Sequence, residues 1–92
     1  MSTLHIINTT LPVESELYQQ LMVSLCAEDA LLFLNAGIYS ASLISERIAQ
    51  SCYILESDQQ LTGLMRIGQC HLIDYTGFVE LGIQHERSIS WG

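Results

Sequence analysis

The chain contains no lysine, and its only cationic side chains are Arg47, Arg66 and Arg87. Against them stand ten carboxylates, for a formal charge of −7. Nucleic-acid binding draws much of its affinity from neutralised phosphates, so three scattered arginines exclude a direct RNA or DNA binder. Docking to an anionic membrane is disfavoured for the same reason. No apolar run approaches the roughly 18 residues of a membrane span, and the opening MSTLHIINTT has neither a basic region nor a signal-peptide pattern. A cytoplasmic protein without membrane attachment is expected.

Catalytic signatures are also missing. There is no glycine-rich phosphate loop and no GxSxG nucleophile motif. His5, His71 and His85 have no second ligand at metal spacing, so no metal or other cofactor is expected. A strand histidine with an ordinary hydrogen-bond partner explains His5 and His71, and a helix C-terminus suits His85. Cys26, Cys52 and Cys70 are odd in number and form no CxxC pair, which points to free thiols. Cys52 and Cys70, on or beside strands, read as small buried apolar residues. Cys26 falls at the end of the first helical pattern, next to Glu28 and Asp29. Both features oppose thiolate formation there, so it is a weak candidate for a nucleophile.

What the sequence has in abundance is apolar material: 49% of its 92 residues. One domain, residues 1–92, is expected. A chain this short hides only about 60–65% of its unfolded surface, so the surplus points to a shared interface. Leu4–Ile7 reads as a first strand. Helical spacing of Leu17, Tyr18, Leu21, Met22 and Leu25 predicts a helix over Val13–Ala27, with Pro12 in its first turn and Glu14 and Glu16 favouring the dipole. The unbroken run Ala30–Leu34 suits a strand covered on both faces. Ile38–Ile48 reads as helix, Cys52–Leu55 as strand, Gln59–Leu64 as a short helix capped from Glu56–Asp58, and His71–Ile73 as a buried strand. Tyr75, Phe78, Val79 and Ile83 share a helical face, and Ser88–Trp91 is a last strand. Gly37 and Gly63 suit helix ends or turns. Alternating strands and helices give an α/β three-layer sandwich with a mainly parallel central sheet of about five strands. In such sheets, sites form beyond the carboxyl ends of strands, which selects the loops Asn8–Thr10, Asn35–Tyr39 and Asp74–Gly77. Asp74 is placed to cap the helix that follows through the amide of Thr76 or Gly77. Tyr39 and Tyr75 fit a core edge or an interface.

Leu72-Ile73-Asp74-Tyr75-Thr76-Gly77-Phe78-Val79-Glu80-Leu81, followed by Ser90-Trp91, resembles the end of the DsrH/TusB family of sulfur-relay proteins. Leu4-His5 with a later Pro12 resembles that family's opening, and Leu32-Phe33 through Gly37-Ile38-Tyr39-Ser40-Ala41 its second strand and following loop. The resemblance implies a DsrEFH-like fold and a heterohexamer with two paralogous small subunits of TusC/TusD (DsrF/DsrE) type, exchanging persulfide sulfur with upstream and downstream carrier proteins. In the TusBCD branch that sulfur goes towards 2-thiouridine at the tRNA wobble position; in the DsrEFH branch it serves sulfur oxidation. The main sulfur-carrying cysteine lies on another subunit. Leu21 and Met22 stand mid-helix, where some DsrH-type members have a cysteine, which favours a non-catalytic, TusB-like part. Gly77 replaces a residue often acidic in the family. Gly37, Ile38, Tyr39, Asp74, Tyr75, Phe78 and Trp91 are the interface or structural positions carried over.

Overall fold

The computed structural model describes residues 2–64 and 66–92. Five strands form one sheet: β1 (Thr3–Ile7), β2 (Ala30–Phe33), β3 (Ser51–Leu55), β4 (His71–Ile73) and β5 (Arg87–Trp91). Their order is β4-β3-β2-β1-β5, and every neighbouring pair is parallel. The α/β architecture expected from alternating patterns is therefore present, with β2 at its centre. The register sets Leu4 beside Ala30 and Ser88, and Ile7 beside Phe33 and Trp91.

Two cores lie on opposite faces of the sheet. On one, Ile7, Leu31, Phe33, Cys52 and Ile54 pack against Tyr18 and Leu21 of α1 (Glu16–Ser24) and Ile44 of α2 (Ala41–Ser45). On the other, Leu4, Ala30 and Leu32 pack against Phe78 and Leu81 of α4 (Tyr75–Gln84). Leu31, Leu32 and Phe33 are fully buried because β2 has a helical layer on each face. The chain steps from β1 to β4 in one direction and then crosses back on the opposite face through α4. Reversing both direction and face keeps one hand of crossover throughout.

Several element boundaries differ from the sequence expectation, each for a local reason. Helix α1 starts at Glu16, because the Ser15 hydroxyl accepts from the Tyr18 amide at 3.2 Å. Pro12 and Glu14 precede it in a turn closed by Ser15 N–H to the Pro12 carbonyl at 2.9 Å. It ends at Ser24 instead of Ala27, since Asp29 captures the Cys26 amide at 3.0 Å. The helix expected over Ile38–Ile48 is a 3-10 segment, Asn35–Ser40, running into the five-residue α2. Its serines bond elsewhere: Ser40 Oγ accepts from Leu11 N–H and Ser45 Oγ from Gln69 N–H. Helix α3 (Glu56–Thr62) starts directly after β3 and stops at Gly63, which is left-handed at φ 67°. Asp58 does not cap it; its carboxylate accepts from Asn35 N–H at 3.0 Å.

Two further expectations are corrected. Strand β4 is an edge strand, not a buried one, with His71 and Leu72 exposed. Helix α4 splits its expected apolar face. Phe78 turns to the sheet with Leu81, while Tyr75, Val79 and Ile83 point outward at 70, 46 and 77% exposure. Gly77 helps to set this rotation: a Cβ there would lie 3.1 Å from Ile73 Cβ, so the glycine lets α4 approach the end of β4 closely.

Candidate functional site

The loops after β1 and β2 meet at the carboxyl edge of the sheet. Thr10 Oγ1 donates to the Ala36 carbonyl at 3.2 Å, and Leu34 N–H to the Ile7 carbonyl at 2.9 Å. Gly37 is required by proximity, not by a turn conformation: a Cβ would lie 2.0 Å from the Ile7 carbonyl oxygen. Ile38 is buried beneath this crossing, whereas Tyr39 projects outward. The third loop stands apart, beyond the edge strand β4. There Asp74 Oδ1 accepts from Gly77 N–H at 2.8 Å, capping α4 as its position in the sequence indicates. Tyr75 meets Phe78 edge-on, with ring centroids 5.9 Å apart.

Trp91 belongs to an internal network whose acidic member sequence reasoning missed. Its indole N–H donates to His5 Nδ1 at 3.0 Å, and His5 Nε2–H donates to Asp29 Oδ2 at 2.8 Å. Accepting at Nδ1 while donating at Nε2 defines the neutral Nε2–H tautomer. Asp29 also accepts from Thr3 N–H at 2.9 Å and Cys26 N–H at 3.0 Å. Burial pushes the Asp29 carboxyl up, but the hydrogen bonds from His5, Cys26 and Thr3 outweigh it and hold the group below its ordinary value. In the sequence, Asp29 looked like a loop acid beside Cys26. The one available signal was an acid immediately before a fully apolar strand, with a histidine inside the neighbouring strand. His85 bonds its own helix, Nδ1–H to the Leu81 carbonyl at 2.8 Å.

Cys26 has little in its surroundings to activate it. Cys26 is exposed, one residue beyond the Leu25 cap of α1, and its Sγ is 3.9 Å from the Ser24 carbonyl. Cys52 and Cys70 are buried, and their thiols donate to the Gln50 and Ala41 carbonyls at 3.6 and 3.7 Å. Among the described residues, no group of three or more His, Cys, Asp or Glu side chains could hold a metal ion. A cleft of about 430 Å³ runs between Trp91 and the outer face of α1, lined by Glu16, Gln19, Gln20 and Val23. A second, of about 360 Å³, opens beside Cys52, Gln69 and His71. In the second cleft Cys52 donates to the Gln50 carbonyl, and His71 packs against Tyr53. Among the described residues, no helix is long and apolar enough to cross a membrane.

A family model described as DsrH like protein matches residues 11–88. The chain belongs to the DsrH-like family. It is 35% identical over 75 residues to protein TusB of Yersinia enterocolitica, an alignment covering 71% of this chain and 77% of that protein. It is 33% identical, with the same coverage, to protein TusB of Yersinia pestis (strain Pestoides F) and of Yersinia pseudotuberculosis serotype O:1b. The DsrH-like match contains Gly37, Tyr39 and Asp74 and the helix that displays Tyr75, Val79 and Ile83. His5 and Trp91 fall outside it, and their place in this DsrH-like fold comes from the hydrogen-bond chain through Asp29.

Proposed function

We propose that this chain is a non-catalytic, TusB-type subunit of a heteromeric sulfur-relay complex that passes persulfide sulfur towards 2-thiouridine at the tRNA wobble position. The observation that carries the reading is its kinship with TusB proteins over most of both chains. The thiol settings support it: an exposed Cys26 at the acidic end of a helix, and two buried cysteines. So does the surface, where Tyr75, Val79, Ile83 and Tyr39 offer apolar area that a partner would cover. In this reading the partners are two paralogous small subunits of TusC/TusD (DsrF/DsrE) type, and the Gly37–Tyr39 loop and the start of α4 contact them. Sulfur-carrier proteins are met through the assembled complex, in the cytoplasm. Direct nucleic-acid contact is left to others, since Arg66 lies 3.7 Å from Glu46 and Arg87 donates to Thr3 Oγ1 at 2.8 Å.

Co-purification from the native host, followed by mass spectrometry, identifies the partners. The complex is then rebuilt with Cys26→Ser, Cys52→Ala and Cys70→Ala combined and supplied with a persulfide donor. Sulfur transfer is expected to persist. A folded, assembled variant that has lost transfer would refute the non-catalytic role. The competing readings are a DsrH-type subunit in sulfur oxidation and, because Cys26 is exposed, a stand-alone persulfide carrier using Cys26. Persulfide labelling of Cys26 on the isolated chain would favour the latter.

A further inference from the structure

Strands β3 and β4 are registered with Tyr53 opposite His71 and Ile54 opposite Leu72. Continued one residue towards the amino ends, this register sets Cys70 beside Cys52. Side chains alternate between the two faces of a sheet. Tyr53 and His71 meet ring to ring on one face, with centroids 5.8 Å apart, and the two cysteines share the core on the other. Their exposures are 2 and 8%, so both lie enclosed within that core. Neighbouring strands lie about 4.8 Å apart, inside the roughly 4.4–6.8 Å between Cα atoms that a disulfide spans. The fold thus sets two free cysteines at matching positions of neighbouring chain segments, on one face of the sheet.

The cleft of about 360 Å³ reaches one member of the pair directly: it is lined by Cys52, and by Gln69 and His71 on either side of Cys70. Within the pair, the neighbouring Cys52 thiol draws Cys70 below its ordinary value against the effect of burial. The Cys70 thiol, together with burial, holds Cys52 protonated far above its own.

We propose that Cys52 and Cys70 are a redox site that closes to a reversible intramolecular disulfide on exposure to hydrogen peroxide. The Cys70 thiol gives its proton to water, and its sulfur attacks one peroxide oxygen. The O–O bond breaks, an S–O bond forms, and the departing hydroxide takes up a proton as water. The Cys52 sulfur then attacks the sulfenic sulfur. An S–S bond forms, the S–O bond breaks, and hydroxide leaves with the Cys52 proton as a second water. Two thiols and one peroxide give one disulfide and two waters, with two electrons passing from sulfur to oxygen. The product staples the short edge strand β4 to β3. This site is independent of the sulfur-relay reading, because it needs no partner and no sulfane sulfur.

The test uses the full chain carrying Cys26→Ser, treated with hydrogen peroxide while folded and, in parallel, in urea. Proteolysis without reductant and mass spectrometry then follow. The expected result is a linked Cys52–Cys70 peptide, lighter by two hydrogens than its free parts and released by dithiothreitol, that forms in the folded sample and is lost in urea. Further substitution by Cys52→Ala removes the link. Three results would overturn the proposal: both thiols remaining reduced, either thiol passing to sulfinic acid with no link, or a link forming as readily in urea.

Discussion

Replacing Asp29 tests the internal network directly. The carboxylate accepts from Thr3 N–H, His5 Nε2–H and Cys26 N–H, at 2.9, 2.8 and 3.0 Å. Thr3 and His5 are buried, so Asp29→Ala leaves two donors without water or partner; Cys26 is exposed and its amide can turn to solvent. An unsatisfied buried donor costs about 1–3 kcal/mol, which gives about 2–6 kcal/mol for alanine. A chain of 92 residues has about 5–14 kcal/mol in total, so this variant sits near the limit of folding. Asp29→Asn keeps one acceptor oxygen but turns an amide NH₂ towards a donor, and is expected to cost about 1–3 kcal/mol. Urea unfolding at pH 7 ranks wild type above Asn above Ala. The Asp29 pKa is depressed in the folded state. Its contribution is therefore fully present above the unfolded carboxyl value of about 3.9 and is lost as pH falls through the lower folded value. The gap between wild type and Asn should close in that acid window. Nitrogen chemical shifts should report the Nε2–H tautomer of His5 in the wild type. An alanine variant within about 0.5 kcal/mol of wild type, the scatter of ordinary surface changes, would refute the account.

Two further outcomes follow from α4. Asp74→Ala should cost about 0.5–2 kcal/mol for the lost cap to Gly77 N–H, and Asp74→Asn much less. Thermal melts decide this, and equal losses for the two variants would mean that charge matters there more than capping. The isolated chain should self-associate through the exposed stripe of Tyr75, Val79 and Ile83, and Val79→Glu should weaken that association without lowering the melting temperature. Sedimentation checks it; a wild-type monomer at high concentration would count against the stripe as a contact surface.

Much of this fold was legible because its signals are local. An apolar run as dense as Ala30–Phe33 makes sense only between two layers, and the spacing from Leu17 to Leu25 defines a helix without help from elsewhere. The Asp74 cap involves a bond between residues three apart. What escaped notice depends on distant parts meeting. Asp29 becomes an anchor only once β1 and the turn before β2 are side by side, and Cys52 and Cys70 become neighbours only through the β3–β4 register. The rotation of α4 was hidden because both of its faces are apolar, so periodicity alone could not say which one the sheet takes. His71–Ile73 looked buried because three apolar-leaning residues do not reveal whether their strand has one neighbour or two.

The position of β5 matters while the protein is being made. It pairs with β1, yet Arg87 follows Thr3 by 84 residues and every other element lies between them. At about 5–20 residues per second, a ribosome needs roughly 4–17 s to produce that interval. Throughout it one side of β1 stands open, with its backbone donors and acceptors unpaired and His5 without its indole partner. An open strand edge invites pairing with another chain. The nascent protein therefore passes through a window in which a chaperone, or a neighbouring nascent chain, competes with β5 for the same row of hydrogen bonds.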